Sequence, residues 1–131
     1  MGRALAAATA YFAIVFSLAF ILGVARALVI APAVGELVAV LIEVPIILFI
    51  SWRAATWCIG RYAVAARTSD RLMMGLAAFL LLLAVETAMS LLLFGRPLAQ
   101  QFAAYATAAG AIGLLAQGAF GLMPVLVARR R

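Results

Sequence analysis

The 131-residue chain contains no lysine, no histidine and no asparagine, and its single cysteine is Cys58. Without histidine and with one thiol, the chain alone cannot build a zinc, haem or iron–sulfur site, a histidine-activated nucleophile or an internal disulfide. We therefore expect no cofactor and no bound metal. Most classes of enzyme chemistry are excluded with them.

Charge is also scarce. Charged residues make up 11% of the chain and hydrophobic residues 69%, against about 25% and 45–50% in soluble proteins. This composition predicts an integral membrane protein. All ten basic residues are arginines, and with four acidic residues they leave a net charge of +6. The use of arginine and alanine in place of lysine and asparagine suggests a GC-rich bacterial genome, and hence a bacterial inner membrane.

Four apolar stretches each approach the ~20 residues with which a helix crosses ~30 Å of hydrocarbon. They are Leu5–Ala25, Val34–Ser51, Leu72–Phe94 and Thr107–Ala128. None alternates between apolar and polar positions as a barrel strand does. The sequence therefore predicts an all-α fold, a single domain of four transmembrane helices over residues 1–131. The first stretch has a signal-peptide-like Ala25-Arg26-Ala27 end, but it is longer than the roughly 7–15 apolar residues of a signal peptide, which favours a retained helix.

The arginines predict the orientation of this bundle. Eight of them fall on the side that holds both termini and the middle connector, and only Arg26 and Arg96 fall on the other side. The positive-inside rule then places both termini in the cytoplasm. The connector from Arg53 to Arg67 is expected to be helical and interfacial. Its arginines either fix topology alone or also bind anionic lipid or a docking partner.

A second short helix is predicted before the fourth transmembrane helix. Leu98, Phe102 and Tyr105 recur at helical spacing opposite Gln100 and Gln101. The pattern fits an amphipathic helix on the outer surface. It fits the start of a tilted fourth helix equally well.

Three glutamates lie inside the predicted helices. At 1.5 Å per residue from the cytoplasmic arginines, Glu43 lies about 15 Å deep, Glu86 about 22 Å and Glu36 about 25 Å. Charged groups at such depth are costly and mark ion or proton pathways, or pair with one another. Gln117, at about 18 Å, matches Glu43 and Glu86 in depth. We therefore predict a proton, cation or substrate site formed by Glu43, Glu86, Gln117 and Ser90.

The three glutamates differ in whether the sequence places an arginine near them. Arg26 and Glu36 flank a predicted turn at Ala31-Pro32, so they are expected to form a structural ion pair near the outer surface. The alternative is a gate or a clamp for a substrate carboxylate, since arginine binds carboxylates in bidentate fashion. Glu43 and Glu86 have no arginine near their depth. Burial favours the neutral acid, so either carboxyl can hold a proton at neutral pH.

Helix distortion and close packing are also predicted. Pro45 removes a backbone N–H two residues after Glu43, which predicts a kink beside the acid. The kink either opens a polar pocket or is closed by a neighbouring hydroxyl. Small residues allow close helix contact. A packing seam is predicted at Gly110, Gly113 and Gly121, and a parallel stripe in the first helix at Ala6, Ala10, Ala13 and Ser17.

Three functions compete. The first is transport or conduction of a proton or cation by an oligomer, because four helices enclose little room. The second is a non-catalytic accessory, assembly or scaffold subunit of a larger membrane complex. A lipid-modifying enzyme is disfavoured, because Asp70 with Arg67 and Arg71 is too sparse for metal-assisted phosphoryl chemistry. The expected partners are the lipid bilayer, anionic lipid at the cytoplasmic arginines, and further copies or a larger complex, but not nucleic acid.

Overall fold

The computed structural model describes residues 2–93, 95 and 97–128, apart from the side chains of Gln101 and Ala128. This part of the chain is helical and contains no strand. The helices are α1 (Gly2–Ala25), a π-helical turn (Arg26–Ile30), α2 (Ala31–Val34), α3 (Glu36–Arg61), α4 (Thr68–Leu92), α5 (Leu98–Ala104) and α6 (Ala108–Ala128). Arg96, the Arg129-Arg130-Arg131 tail and Phe94, the predicted end of the third helix, lie outside the described residues.

Within the described part of the chain, four helical stretches are long and apolar enough to cross a membrane. They are Gly2–Val34, Glu36–Arg61, Thr68–Leu92 and Ala108–Val127. Even the shortest, with 20 residues, spans about 30 Å at 1.5 Å per residue. For the described residues, the prediction of an all-helical fold with four helices long and apolar enough to cross a membrane is therefore confirmed.

The first hairpin turns later than the sequence indicated. The turn was expected at Ala31-Pro32, but the helix continues through Val34 and the chain reverses at Gly35, where φ is +92° and ψ is 158°. Residues with a side chain rarely adopt such a conformation, and glycine does so readily. Pro32 lies just after the π-helical turn, and the helix continues past it without the backbone hydrogen bond that proline cannot donate.

The second long helix also runs further than predicted, from Glu36 to Arg61 rather than to Ser51. Of the segment expected to form a connector helix, residues 53–61 are a direct continuation of α3, whereas residues 62–67 form a loop. The helix ends where Ala63 adopts φ +52° and Val64 donates its N–H to the carbonyl of Ile59. This is a Schellman end, which glycine usually forms. Because Ala63 occupies the position that glycine usually takes, the sequence did not indicate that the helix ends here.

The bundle packs in a ring. α1 and α6 each pack along both α3 and α4, which places α1 opposite α6. Across the ring, the aromatic rings of Tyr11 and Phe120 stack with centroids 4.5 Å apart, and the Tyr11 hydroxyl donates to the Phe120 carbonyl at 2.6 Å. This contact closes the centre of the bundle.

The buried core lies on the side of this contact that holds the chain ends. It includes Ala4, Ala7, Ala8, Ala55, Cys58, Met74, Ala78 and Val127. The face of α1 that packs inward is therefore the one with Ala4, Ala8 and Tyr11. The predicted stripe lies on another face, since Ala6, Ala13 and Ser17 are exposed and only Ala10 is half-buried.

Of the three glycines predicted to form a packing seam, Gly121 is the one that lies in close contact with another long helix. A Cβ at Gly75 of α4 would lie 1.8 Å from the carbonyl oxygen of Gly121, so these two glycines allow the close approach of α4 and α6. Gly110 instead faces the carbonyl of Ala104, a few residues before it in the chain. A Cβ at Gly113 would meet nothing within 4 Å, because this residue lines a cavity.

Arg71 is an internal residue rather than part of a lipid-facing basic surface. Its side chain is completely buried, and it donates from Nε to the carbonyl of Ala65 at 3.0 Å and from Nη2 to that of Val64 at 3.4 Å. These carbonyls belong to the loop between α3 and α4. Arg71 therefore holds the loop against the bundle.

We expect Arg71→Met to lower the free energy of unfolding by about 2–3 kcal/mol, because hydrogen bonds from a charged donor contribute about 1.5–3 kcal/mol. Arg67→Met is the matched control: its side chain is 81% exposed and its 3.7 Å ion pair with Asp70 lies at the surface. Its effect should stay within about 0.5 kcal/mol. Thermal unfolding of both variants in detergent measures the difference, and equal losses would show that the buried contacts of Arg71 contribute little.

Candidate functional site

A cavity of about 750 Å³ lies between the four long helices. Its volume falls within the roughly 300–1,000 Å³ of small-molecule sites. All four helices contribute to its wall, and Val15 and Phe120 line it at the level of the Tyr11–Phe120 contact. The cavity therefore occupies the half of the bundle that lies away from the compact core.

The four residues predicted to form a site all line this cavity. Glu43 comes from α3, Glu86 and Ser90 from α4, and Gln117 from α6. Glu86 and Ser90 are four residues apart in a helix, so they lie on the same face. The structure thus brings together side chains from three helices that the sequence could relate only by depth.

Glu86 and Gln117 are in direct contact. The Gln117 amide donates from Nε2 to Oε1 of Glu86 at 2.6 Å, and this bond links α4 to α6. The amide oxygen of Gln117 is buried without a hydrogen-bond partner among the described residues. No cationic side chain in the described ranges forms an ion pair with Glu86. Its carboxyl is therefore held by the neutral amide of Gln117.

Glu43 has a different partner, Arg26. The Arg26 Nε donates to Oε1 of Glu43 at 2.6 Å, and Arg26 Nη1 contacts Oε1 of Glu36. Glu36 and Glu43 are seven residues apart, about two helical turns, and so share a face of α3. One guanidinium therefore links the end of α1 to two turns of α3.

The expectation that Glu43 lacks an arginine partner is wrong. It rested on a first helix that ends at Ala25 and a turn at Ala31-Pro32. In the structure, Arg26 begins a π-helical turn within a continuous helical stretch, and its side chain lies alongside Glu43 in the cavity wall. π-Helical turns within longer helices are frequent at functional sites.

Pro45 lies inside α3, two residues after Glu43. Its ring cannot supply the N–H that would bond to the carbonyl of Leu41. Glu43, Val44 and Ile47 all line the cavity, so this part of α3 borders open space. The arrangement favours the polar pocket over a kink closed by tight packing.

The short helix α5 adds residues that the sequence did not assign to the site. α5 is separate from α6, as one of the two alternatives predicted, and Leu98 and Phe102 are exposed. Gln100 and Tyr105 line the cavity. Gln101 was predicted to share the polar face with Gln100, and its side chain is not among those described. The amphipathic spacing located the helix, but no sequence signal showed that it lies over the cavity.

The charge of the cavity wall is unbalanced. Among the described lining residues, Arg26 contributes +1 and Glu43 and Glu86 together −2, which gives a formal charge of −1 when both acids are ionised. Arg26 also contacts Glu36, which lies outside the lining. In that ionisation state the wall favours a cation over an anion.

No protein-family model, curated protein or solved structure matches this chain.

Proposed function

We propose that the protein is a membrane transporter or channel for a proton or a cation, with the cavity as its binding site. The observation that carries this proposal is the joint exposure of Glu43 and Glu86 to one cavity between four apolar helices. Intramembrane acids are costly, and when they face a cavity they typically lie on ion or proton pathways. Glu86 is the principal site residue, with Gln117 and Ser90 beside it.

The proposed pathway needs more than this cavity. The Tyr11–Phe120 contact and the core beyond it close the other half of the bundle. Conduction therefore requires either a rearrangement at this contact or a path shared with further copies. The exposed residues Ala6, Ala13 and Ser17 are small enough for close helix contact between protomers, which supports the oligomeric form of the proposal.

Flux measurements test transport directly. We expect purified protein in lipid vesicles to carry a proton, an alkali cation or an organic cation above the level of empty vesicles. An entrapped pH-sensitive dye reports protons, and isotope uptake reports the other ions. If no species in this panel moves faster than in empty vesicles, the transport proposal fails.

The second candidate function is an accessory subunit of a larger complex. An apolar groove between α4 and α6 favours it: Leu72, Leu76, Leu80 and Leu122 line the groove with Gly118 and Gly121. In this case Arg26 only fastens α1 to α3. Co-purification of one membrane protein at fixed stoichiometry, with no flux, would support this function.

The proposed location is a bacterial inner membrane with both termini in the cytoplasm. Arg53, Arg61 and Arg67 are exposed near the same end of the bundle, where they suit the anionic lipid of a cytoplasmic leaflet.

A reporter fusion tests this orientation. We expect a cytoplasm-specific reporter fused after residue 131 to be active, and one inserted within residues 96–101 to be inactive, because eight arginines lie on the first side and two on the second. A periplasm-specific reporter should give the opposite pattern. An active periplasmic reporter at the C-terminus would reverse the orientation.

A further inference from the structure

The cavity is large and mainly apolar for a bare ion. Its volume of about 750 Å³ is many times the ~30 Å³ of a water molecule. Bare alkali and divalent ions need several oxygen ligands at once. The wall is mainly aliphatic and also includes the aromatic residues Phe16, Phe20 and Phe120. Such a wall suits an organic body rather than a bare ion.

The polar groups in this wall identify the charged end of the ligand. Glu43 is already paired with Arg26, whereas the carboxyl of Glu86 accepts its hydrogen bond from the neutral Gln117 amide. A cation is therefore drawn to Glu86 rather than Glu43. The amide oxygen of Gln117 is buried and has no partner among the described residues. Turning the amide about its terminal torsion, which is broad in glutamine, gives up the bond from Nε2 to Glu86 and brings the oxygen beside the carboxylate as a second acceptor.

We propose that the cavity binds a protonated amine that carries an apolar body. The ammonium group donates one N–H to the Glu86 carboxylate and another to the Gln117 amide oxygen. The apolar body packs against the aromatic side chains of Phe16 and Phe20 on α1, whose ring faces also attract a cation. This inference rests on the proposed function, because it names the substrate class of the same site.

The donor requirement distinguishes this ligand from other cations. A quaternary ammonium ion has the same charge but no N–H, so it cannot satisfy the Gln117 oxygen. A neutral alcohol of the same shape can donate a hydrogen bond but lacks the charge that Glu86 attracts. Comparing the three therefore separates the hydrogen bonds from the charge and from simple partition into detergent.

The test measures binding of three probes to the full chain in mild detergent: 2-(1-naphthyl)ethylammonium, its N-trimethyl analogue and 2-(1-naphthyl)ethanol. Naphthalene fluorescence and calorimetry report binding. We expect the primary amine to bind about 10- to 100-fold more tightly than either analogue, the range expected when at least one charge-assisted hydrogen bond is lost.

Glu86→Gln should weaken binding of the primary amine by a similar factor. Glu36→Gln is the matched control, because it removes the same charge at a residue outside the cavity lining; it should change the affinity less than about 3-fold, within the effect of a remote charge. Thermal unfolding of each variant shows whether it is folded. The comparison of probes on the parent protein needs no variant.

Three results would overturn the inference: no saturable binding of the primary amine, equal affinity for its N-trimethyl analogue, or unchanged affinity in folded Glu86→Gln protein. Vesicle flux decides the proposed function separately. Flux of protons or alkali cations without amine binding would refute the amine ligand and leave transport intact. Amine binding that depends on Glu86, without flux of any species, would support the ligand and refute transport.

Discussion

Glu86→Gln is expected to reduce proton or cation flux in reconstituted vesicles to the level of empty vesicles. A carboxyl can exchange a proton and can balance the charge of a cation, whereas an amide can do neither. The substitution should leave the fold intact, because the amide oxygen that it introduces can still accept the 2.6 Å hydrogen bond from Gln117. The expected effect is therefore a loss of flux at unchanged expression, insertion and thermal stability.

Two matched variants make this result specific. Glu36→Gln removes a carboxylate whose side chain is 56% exposed, and it should retain parental flux. Glu43→Gln removes a cavity carboxyl that is already paired with Arg26, so its loss of flux should be smaller than that of Glu86→Gln. Parental flux in correctly inserted Glu86→Gln protein would show that this carboxyl is only a link between helices.

Depth along the helices predicted some of the site and missed the rest. Gln117 and Glu86 were matched by counting residues from the arginines, and the structure places them in contact. The count works because both residues lie in long regular helices of fixed rise. It fails at Arg26, where an additional helical stretch before Gly35 changes both the height and the direction of the side chain.

Burial of arginine could not be predicted in the same way. Arg71 follows Asp70 in a segment rich in arginine, and the charge count treated it like its exposed neighbour Arg67. Its side chain instead lies inside the bundle, against the carbonyls of Val64 and Ala65. That position depends on the irregular loop after Arg61, whose left-handed residue is an alanine. Helical periodicity gives no information about such a loop.

Arg26→Met is expected to destabilise the protein more than either Glu36→Gln or Glu43→Gln. The substitution replaces arginine with an apolar side chain of similar length. It leaves two carboxylates on one face of α3 without their shared cation. Removing one partner of a buried ion pair costs about 3–5 kcal/mol, and removing both costs much less. Because the side chains of Arg26 and Glu43 are 27% and 19% exposed, we expect a loss of about 2–3 kcal/mol, below the fully buried range.

The combined variants separate this ion-pair cluster from simple loss of packing. If Arg26 holds both acids, Arg26→Met with Glu43→Gln should be more stable than Arg26→Met alone, and adding Glu36→Gln should restore a further, smaller part. The smaller part is expected at Glu36 because its side chain is 56% exposed and water screens its charge. Thermal unfolding in detergent at low and high salt measures these differences. Strictly additive losses across the series would show that the contacts of Arg26 with the two glutamates carry no coupling energy, since residues in one ion-pair network are expected to be non-additive.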